Sequence, residues 1–235
     1  MDKIAVIPAR AGSKRLPKKN YKSFNSRTLV EIARDKCLAA GIFDKVIISS
    51  DDPFFEQLVN CNQVAFLQRS EKLAGDDATT DVVIDFFFEE LPSCDSILWV
   101  NSVSPLQSIQ DIKNCGTRLS DPHVDCVMAI NTLYQHSCIG NKPLNFDPNK
   151  PFEKTQDLEP IQRYIYSCMG WKRKTYVEYR SGGFKGLFPG NMSLVEVSTL
   201  AGMLIKYEED FILCSQIEKA MGYRPNATIL KNYVA

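Results

Sequence analysis

The chain is 235 residues long and 44% hydrophobic, with 28 Lys and Arg against 28 Asp and Glu. That length supports one large α/β domain with a sizeable core; the even charge balance excludes a molecule-wide field for nucleic acid or an anionic membrane, so any anion site is local. The eight cysteines are scattered without a C-x-x-C pair or a secretory pattern ahead of them, and no apolar run reaches about 18 residues, so mostly small buried thiols in a reducing cytoplasm and no membrane span are expected.

The first element is a buried strand. Ile4 to Ile7 are four consecutive apolar residues, a run that needs cover on both faces, as in a parallel sheet. Pro8 ends it, and Arg10, Lys14, Arg15, Lys18 and Lys19 follow closely. Gly12 and Ser13 between them let the backbone approach a ligand and offer N–H groups. A polyphosphate suits such a loop; a solvated basic surface is the other reading. Position favours the ligand, because open α/β sheets bind at the carboxyl ends of their strands. The loop has neither G-x-G-x-x-G nor G-K-[ST], so it is not a dinucleotide fingerprint or a P-loop.

Leu29, Ile32, Ala33, Cys37 and Ala40 recur at helical spacing, predicting a helix from Thr28 to Ala40 that stops at Gly41. Lys45 to Ser50 reads as the second strand. Its carboxyl end carries Asp51 and Asp52 before a helix opening at Pro53, with Asp52 free to cap that helix or to serve a ligand. Val64 to Leu67 is the third strand, followed by Arg69 and a loop into a helix from Asp81 to Glu90. Thr79 or Thr80 can cap this helix, and its free N–H groups suit an anion. Ser96 to Val100 and Asp125 to Ile130 are the fourth and fifth strands, with a helix from Asp111 to Leu119 between them.

Beyond them the pattern weakens. Residues 141–160 read as loop, the edge of an insertion. The run from Trp171 to Tyr176 (WKRKTY) mixes cations and aromatics; it is read as an exposed strand edge in preference to a nucleic-acid stacking surface. His123 and His136 lack ligand-spaced partners and are read as structural or exposed. Met203 to Phe211 reads as a last strand running into a helix, with Asp210 at the helix start. The alternation of strands and helices argues a three-layer, Rossmann-like, mostly parallel sheet.

Ile7 to Asn20, Ile-Pro-Ala-Arg-x-Gly-Ser-Lys-Arg-Leu-Pro-x-Lys-Asn, resembles the N-terminal signature of the acylneuraminate cytidylyltransferases, which are CMP-sialic acid synthetases and relatives acting on other nonulosonic acids. Ser49 to Asp52 is similar to a Ser-Thr-Asp-Asp turn of that family, and Arg69 to Thr80 to its Arg-Pro-x-x-Leu-Ala-x-Asp-x-Ala segment. Asn101 to Gln107 is similar to its Gln-Pro-Thr-Ser-Pro-Leu-Arg, with Ser104, Pro105 and Leu106 retained.

The resemblance implies a single nucleotide-diphospho-sugar transferase type domain over residues 1–235, with an inserted dimerisation region at about 140–180. It implies transfer of CMP from CTP to a sugar acid with release of pyrophosphate, in a homodimer that uses no nucleic acid and no membrane. Arg10 and Lys14 would act in catalysis and, with Ser13 and Lys19, hold the phosphates or steady the loop. Asn20 and Arg69 would contact the nucleotide, with Asp76, Ala78 and Thr80 in the segment that meets cytidine. Asn101 and Gln107 would face the sugar acid.

The resemblance also implies magnesium, held by two aspartates whose places are taken here by Leu204 and Lys206. Neither suits a hard cation that wants oxygen ligands. The Lys206 ammonium could replace part of the metal's charge, or other carboxylates such as Asp51 or Glu196 could supply ligands. Two further readings stay open: a nucleotide-binding pseudoenzyme of the same fold, and a nucleotidyltransferase using another sugar or base.

Overall fold

The computed structural model describes residues 2–222. The chain runs through β1 (Asp2–Pro8), β2 (Ser23–Phe24), β3 (Arg27–Thr28), α1 (Leu29–Ala40), β4 (Lys45–Ser50), β5 (Val64–Gln68), α2 (Glu71–Ala74), α3 (Thr80–Glu90), β6 (Cys94–Val100) and α4 (Ile109–Leu119). It continues through β7 (Cys126–Leu133), β8 (Cys138–Ile139), β9 (Lys142–Pro143), β10 (Ile161–Lys172), α5 (Arg173–Ser181), β11 (Met192–Glu196) and α6 (Glu208–Ala220).

Seven strands form one sheet in the order β11-β7-β10-β6-β1-β4-β5. All neighbours are parallel except β10, which runs antiparallel to β6 and β7. The order turns at β1: β4 and β5 lie on one side of it and β6 on the other. Such a reversal opens a crevice at the carboxyl ends of the strands, where α/β sheets bind ligands.

The apolar run of β1 is explained by its two faces. Ala5 and Ile7 pack with α1 and α4 through Val30, Ala33, Ile112 and Cys115. Ile4 and Val6 pack with α3 through Val83, Ile84 and Phe87. Both faces are dry, so alternation is lost. Helix α1 starts with a capping box in which Thr28 and Glu31 satisfy each other's backbone N–H, and it stops at Gly41 with φ 65°. A third cluster joins Leu16 of the basic loop to Leu29, Leu106, Ile205 and Cys214, which ties that loop to α6.

The expected insertion divides in two. Residues 134–160 lie off the sheet, with the β8–β9 hairpin, whereas residues 161–172 form β10 inside it. The WKRKTY run is therefore corrected: it is neither a strand edge nor an exposed stacking surface. Trp171 is fully buried in a central strand, donating its indole N–H to Leu187 O at 2.7 Å, and Arg173 to Tyr176 begin α5. The expected last strand is corrected too. Met203 to Tyr207 forms no strand: its Leu204 N–H turns back to Gly202 O at 3.1 Å and its Ile205 N–H donates to Val103 O at 2.8 Å, while the seventh strand of the sheet is Met192–Glu196. Pro53–Leu58 is a 3₁₀ turn capped by Asp52. No helix among the described residues is long and apolar enough to cross a membrane.

Gly170 lets α4 approach the sheet. A Cβ there would meet Leu119 Cδ2 at 2.8 Å and both Leu98 Cδ1 and Val127 Cγ2 at 3.0 Å. Gly170→Val is expected to cost about 1–3 kcal/mol by overpacking, read as a lower urea midpoint; a midpoint equal to the parent's would show that α4 can retreat freely.

Candidate active site

The turn at β1 holds a cavity of about 480 Å³. The loop after β1 contributes Arg10, Ser13, Lys19 and Asn20, the segment after β5 contributes Arg69, Asp76 and Ala78, α3 contributes Thr80, and the loop after β6 contributes Asn101. Lys14 lines an adjoining hollow beside Gly12 and Asp76. Ten of the eleven residues expected from sequence thus come together from loops up to 91 positions apart. Gln107 does not. It is 1% exposed and points behind the cavity, its Nε2 donating to Cys168 Sγ at 2.8 Å and Ser167 Oγ at 3.3 Å.

The loops are fixed by buried polar contacts. Asn20 donates to Arg10 O at 3.0 Å and accepts from the Ser102 hydroxyl at 3.1 Å. Ala11 N–H donates to Asp51 at 2.9 Å, and Ser104 donates to Ala201 O at 2.6 Å. Lys36 of α1 donates to the carbonyls of Pro105 and Gln107, the latter at 2.6 Å; burial pushes its ammonium down to about 7. Lys36 therefore braces the wall that carries Asn101, Ser102 and Val103.

Sequence reasoning missed Lys36, Ser102 and Trp99, the last of which lines the cavity from β6. Trp99 carried a signal. It sits one residue before the end of a strand aimed at the site, and its face is set by the two-residue period. Nothing local marked Lys36, whose acceptors are 69 and 71 residues away.

Charge is uneven around the cavity. Asp76 bridges Arg10 at 3.0 Å and Lys14 at 2.5 Å, and these two cations, Lys14 first, hold its carboxyl below the usual range. Lys19 donates to Ile205 O at 2.9 Å. Burial pushes its ammonium down to about 8, with Arg15 and Arg10 adding to the effect and Asp210 opposing it. Arg69 is 6% exposed and its Nε finds no hydrogen-bond partner among the described residues. Burial lowers the Arg69 guanidinium to about 10 against the pull of Asp51. A buried cation with an unmet donor is costly unless a ligand supplies the acceptor.

Magnesium does not fit the donors on this wall. Asp76 is the one carboxylate among the described lining residues, and two cations engage it. Leu204 and Lys206 line a separate hollow beside Tyr207 and Asp210. Glu196 accepts from Thr132 at the sheet edge. No three His, Cys, Asp or Glu residues gather suitably for a metal among the described residues.

A second hollow of about 540 Å³ lies between α3 and α5, but its arginines are engaged: Arg180 by Asp81 and Asp85, Arg173 by the carbonyls of Phe88 and Leu91. In the strand-end cavity, by contrast, the buried Arg69 Nε has no partner among the described residues.

Residues 4–164 match the family model described as Cytidylyltransferase. The chain is 29% identical over 170 residues to the pseudaminic acid cytidylyltransferase of Campylobacter jejuni, covering 71% of this chain and 63% of that protein. It is 24% identical over 190 residues to the N-acylneuraminate cytidylyltransferase of Streptococcus agalactiae, covering 77% of this chain and 46% of that one. The match thus spans about half to two thirds of the length of these relatives. Among solved structures, a CMP:2-keto-3-deoxy-manno-octonic acid synthetase complexed with CTP superposes with a TM-score of 0.68 at 13% identity, covering 94% of this chain and 99% of that one. A 4-diphosphocytidyl-2C-methyl-D-erythritol synthase from Anaerococcus prevotii gives 0.66 at 14%, covering 93% and 98%. At those identities the superpositions speak to fold.

Proposed function

Because the chain belongs to the cytidylyltransferase family, on its acylneuraminate branch, we propose that it transfers the cytidylyl group of CTP to a nonulosonic sugar acid and releases pyrophosphate. The observation that carries this reading is Arg69, a buried cation on the cavity wall whose Nε lacks an acceptor. A sugar hydroxyl oxygen would bond to the α-phosphorus as the bond to the departing pyrophosphate breaks, the hydroxyl proton passing to solvent. Positioning and charge neutralisation are what such a reaction asks of a protein. Arg10, Lys14 and Lys19 would meet the phosphates, with Ser13 donating from the same loop. Asn20 and Arg69 would contact the nucleotide, and Asp76, Ala78 and Thr80 lie on the segment that would frame the cytidine. Asn101, held by its donation to Tyr166 O at 3.1 Å, would face the sugar acid, with Gln107 supporting that wall from behind. The eight free thiols suit a reducing, cytoplasmic setting.

The base is tested by calorimetric titration with CTP, UTP, ATP and GTP. CTP is expected to bind at least about tenfold more tightly than the others, the discrimination of one or two satisfied polar groups; equal affinities would remove the cytidine assignment.

Affinity should also depend on pH. Lys19 titrates at about 8 in the free protein, and a bound polyanion favours its charged form. CTP binding should therefore be full below that value, weaken as pH rises through it, and take up protons at pH 8–9. Binding that is flat to pH 9.5, roughly 1.5 units higher, would remove Lys19 from the phosphate contacts.

A homodimer is also part of this reading. Tyr134, Ile139, Leu144, Phe152, Tyr164 and Tyr166 are all exposed on or beside the segment that leaves the sheet, an apolar density that marks interaction surfaces. Light scattering is expected to give twice the 26.6 kDa chain mass, against which a monomer at micromolar concentration would count decisively.

A further inference from the structure

The cavity and its rim carry five cations, Arg10, Lys14, Arg15, Lys19 and Arg69; Asp76 is the one carboxylate among the described lining residues, while Asp51, Asp77 and Asp210 act on Arg69, Lys14 and Lys19 from outside the lining. Cations thus outnumber carboxylates in the lining, an excess that suits the polyanionic triphosphate of a nucleotide. Asp76 is shared between Arg10 and Lys14. Lys19 commits one of its three N–H donors to the Ile205 carbonyl, which holds the ammonium in place and leaves two donors for a ligand. A divalent cation brought to this wall would meet one carboxylate already engaged by two cations, among further like charges.

We propose that this site binds a triphosphate on protein cations alone, with Lys19 as the central contact and with no divalent cation required. The inference rests on reading the cavity as a triphosphate site and departs from the magnesium that the family resemblance implies. Its consequences are specific. The free tetra-anion is the preferred ligand, and a chelator leaves binding intact. Magnesium leaves the affinity unchanged or lowers it, because the metal-bound triphosphate carries less charge. Added salt weakens binding, since the rim charges are exposed and screened.

The test is calorimetric titration of the whole chain with CTP and, separately, with inorganic tripolyphosphate, each in chelator and in millimolar magnesium. The same titrations follow on Lys19→Met and Lys19→Arg, whose folding is checked by thermal melts. Both probes are expected to bind the parent in chelator, Lys19→Met to lose at least about tenfold, the scale of one charge-assisted contact, and Lys19→Arg to recover most of it. Binding that appears only with magnesium, or tightens tenfold with it, overturns the proposal, as does a folded Lys19→Met of unchanged affinity. Should Lys19→Met fail to fold, the chelator comparison on the parent and Lys19→Arg still decides. Tripolyphosphate binding without CTP binding would sink the cytidylyl reading and leave this inference standing; loss of both probes under every condition would sink both.

Discussion

Arg69→Met is expected to lower CTP affinity by at least about thirtyfold while leaving the fold as stable as before, or more so. The two effects share one cause. Arg69 is 6% exposed at the cavity wall, its Nε has no partner among the described residues, and burial lowers its pKa to about 10. In the free protein that charge is poorly solvated, and replacing buried ionic groups by an apolar side chain of similar size is often neutral or stabilising. In the proposed complex the guanidinium would gain acceptors, and truncating a buried charged contact costs about 2 kcal/mol or more, which is the thirtyfold. Calorimetry and a thermal melt on the same variant read both arms. A variant that binds CTP normally, or that loses affinity only because it unfolds, contradicts the assignment of Arg69 to the ligand.

Trp171→Ala should cost about 3–5 kcal/mol of stability, the range for deleting a large buried aromatic. Trp171 is fully buried, stacks on Phe188 with ring centroids 5.9 Å apart, and meets Tyr176 edge-on at 6.5 Å. Its indole N–H bonds to Leu187 O, so truncation also removes the donor to that carbonyl. Urea melts would report a large fall in midpoint. A loss below about 1 kcal/mol would fit a surface residue and would revive the exposed reading of the WKRKTY run.

What the sequence made legible was local. The loop from Ile7 to Asn20 is gapless, and its strand, its cations and its asparagine occupy consecutive positions, so neither register nor topology had to be known. Arg69 and Asn101 were readable for the same reason: each follows directly on an apolar strand, and parallel strands of a wound sheet end on one edge. Gln107 was misplaced because its direction is set by Lys36 and by Ser167 and Cys168 of β10, more than 50 residues off in either direction. The stretch around Ile205 alternates like a strand but makes too few bonds with Val103 to ladder. Trp171 looked exposed because its basic neighbours suggested an edge; an antiparallel strand inserted between β6 and β7 is a decision of topology, which no local pattern records.

The central claim is most directly tested by pyrophosphate release. The purified chain would be incubated with CTP and a panel of nonulosonic acids, with and without chelator, and the nucleotide product weighed by mass spectrometry. The expected result is pyrophosphate formed only when CTP and one of the acids are both present, in equal amount to a CMP-sugar product, and persisting in chelator. CTP bound without pyrophosphate from any acid would contradict it and make the chain a nucleotide-binding protein that keeps the fold without the transfer.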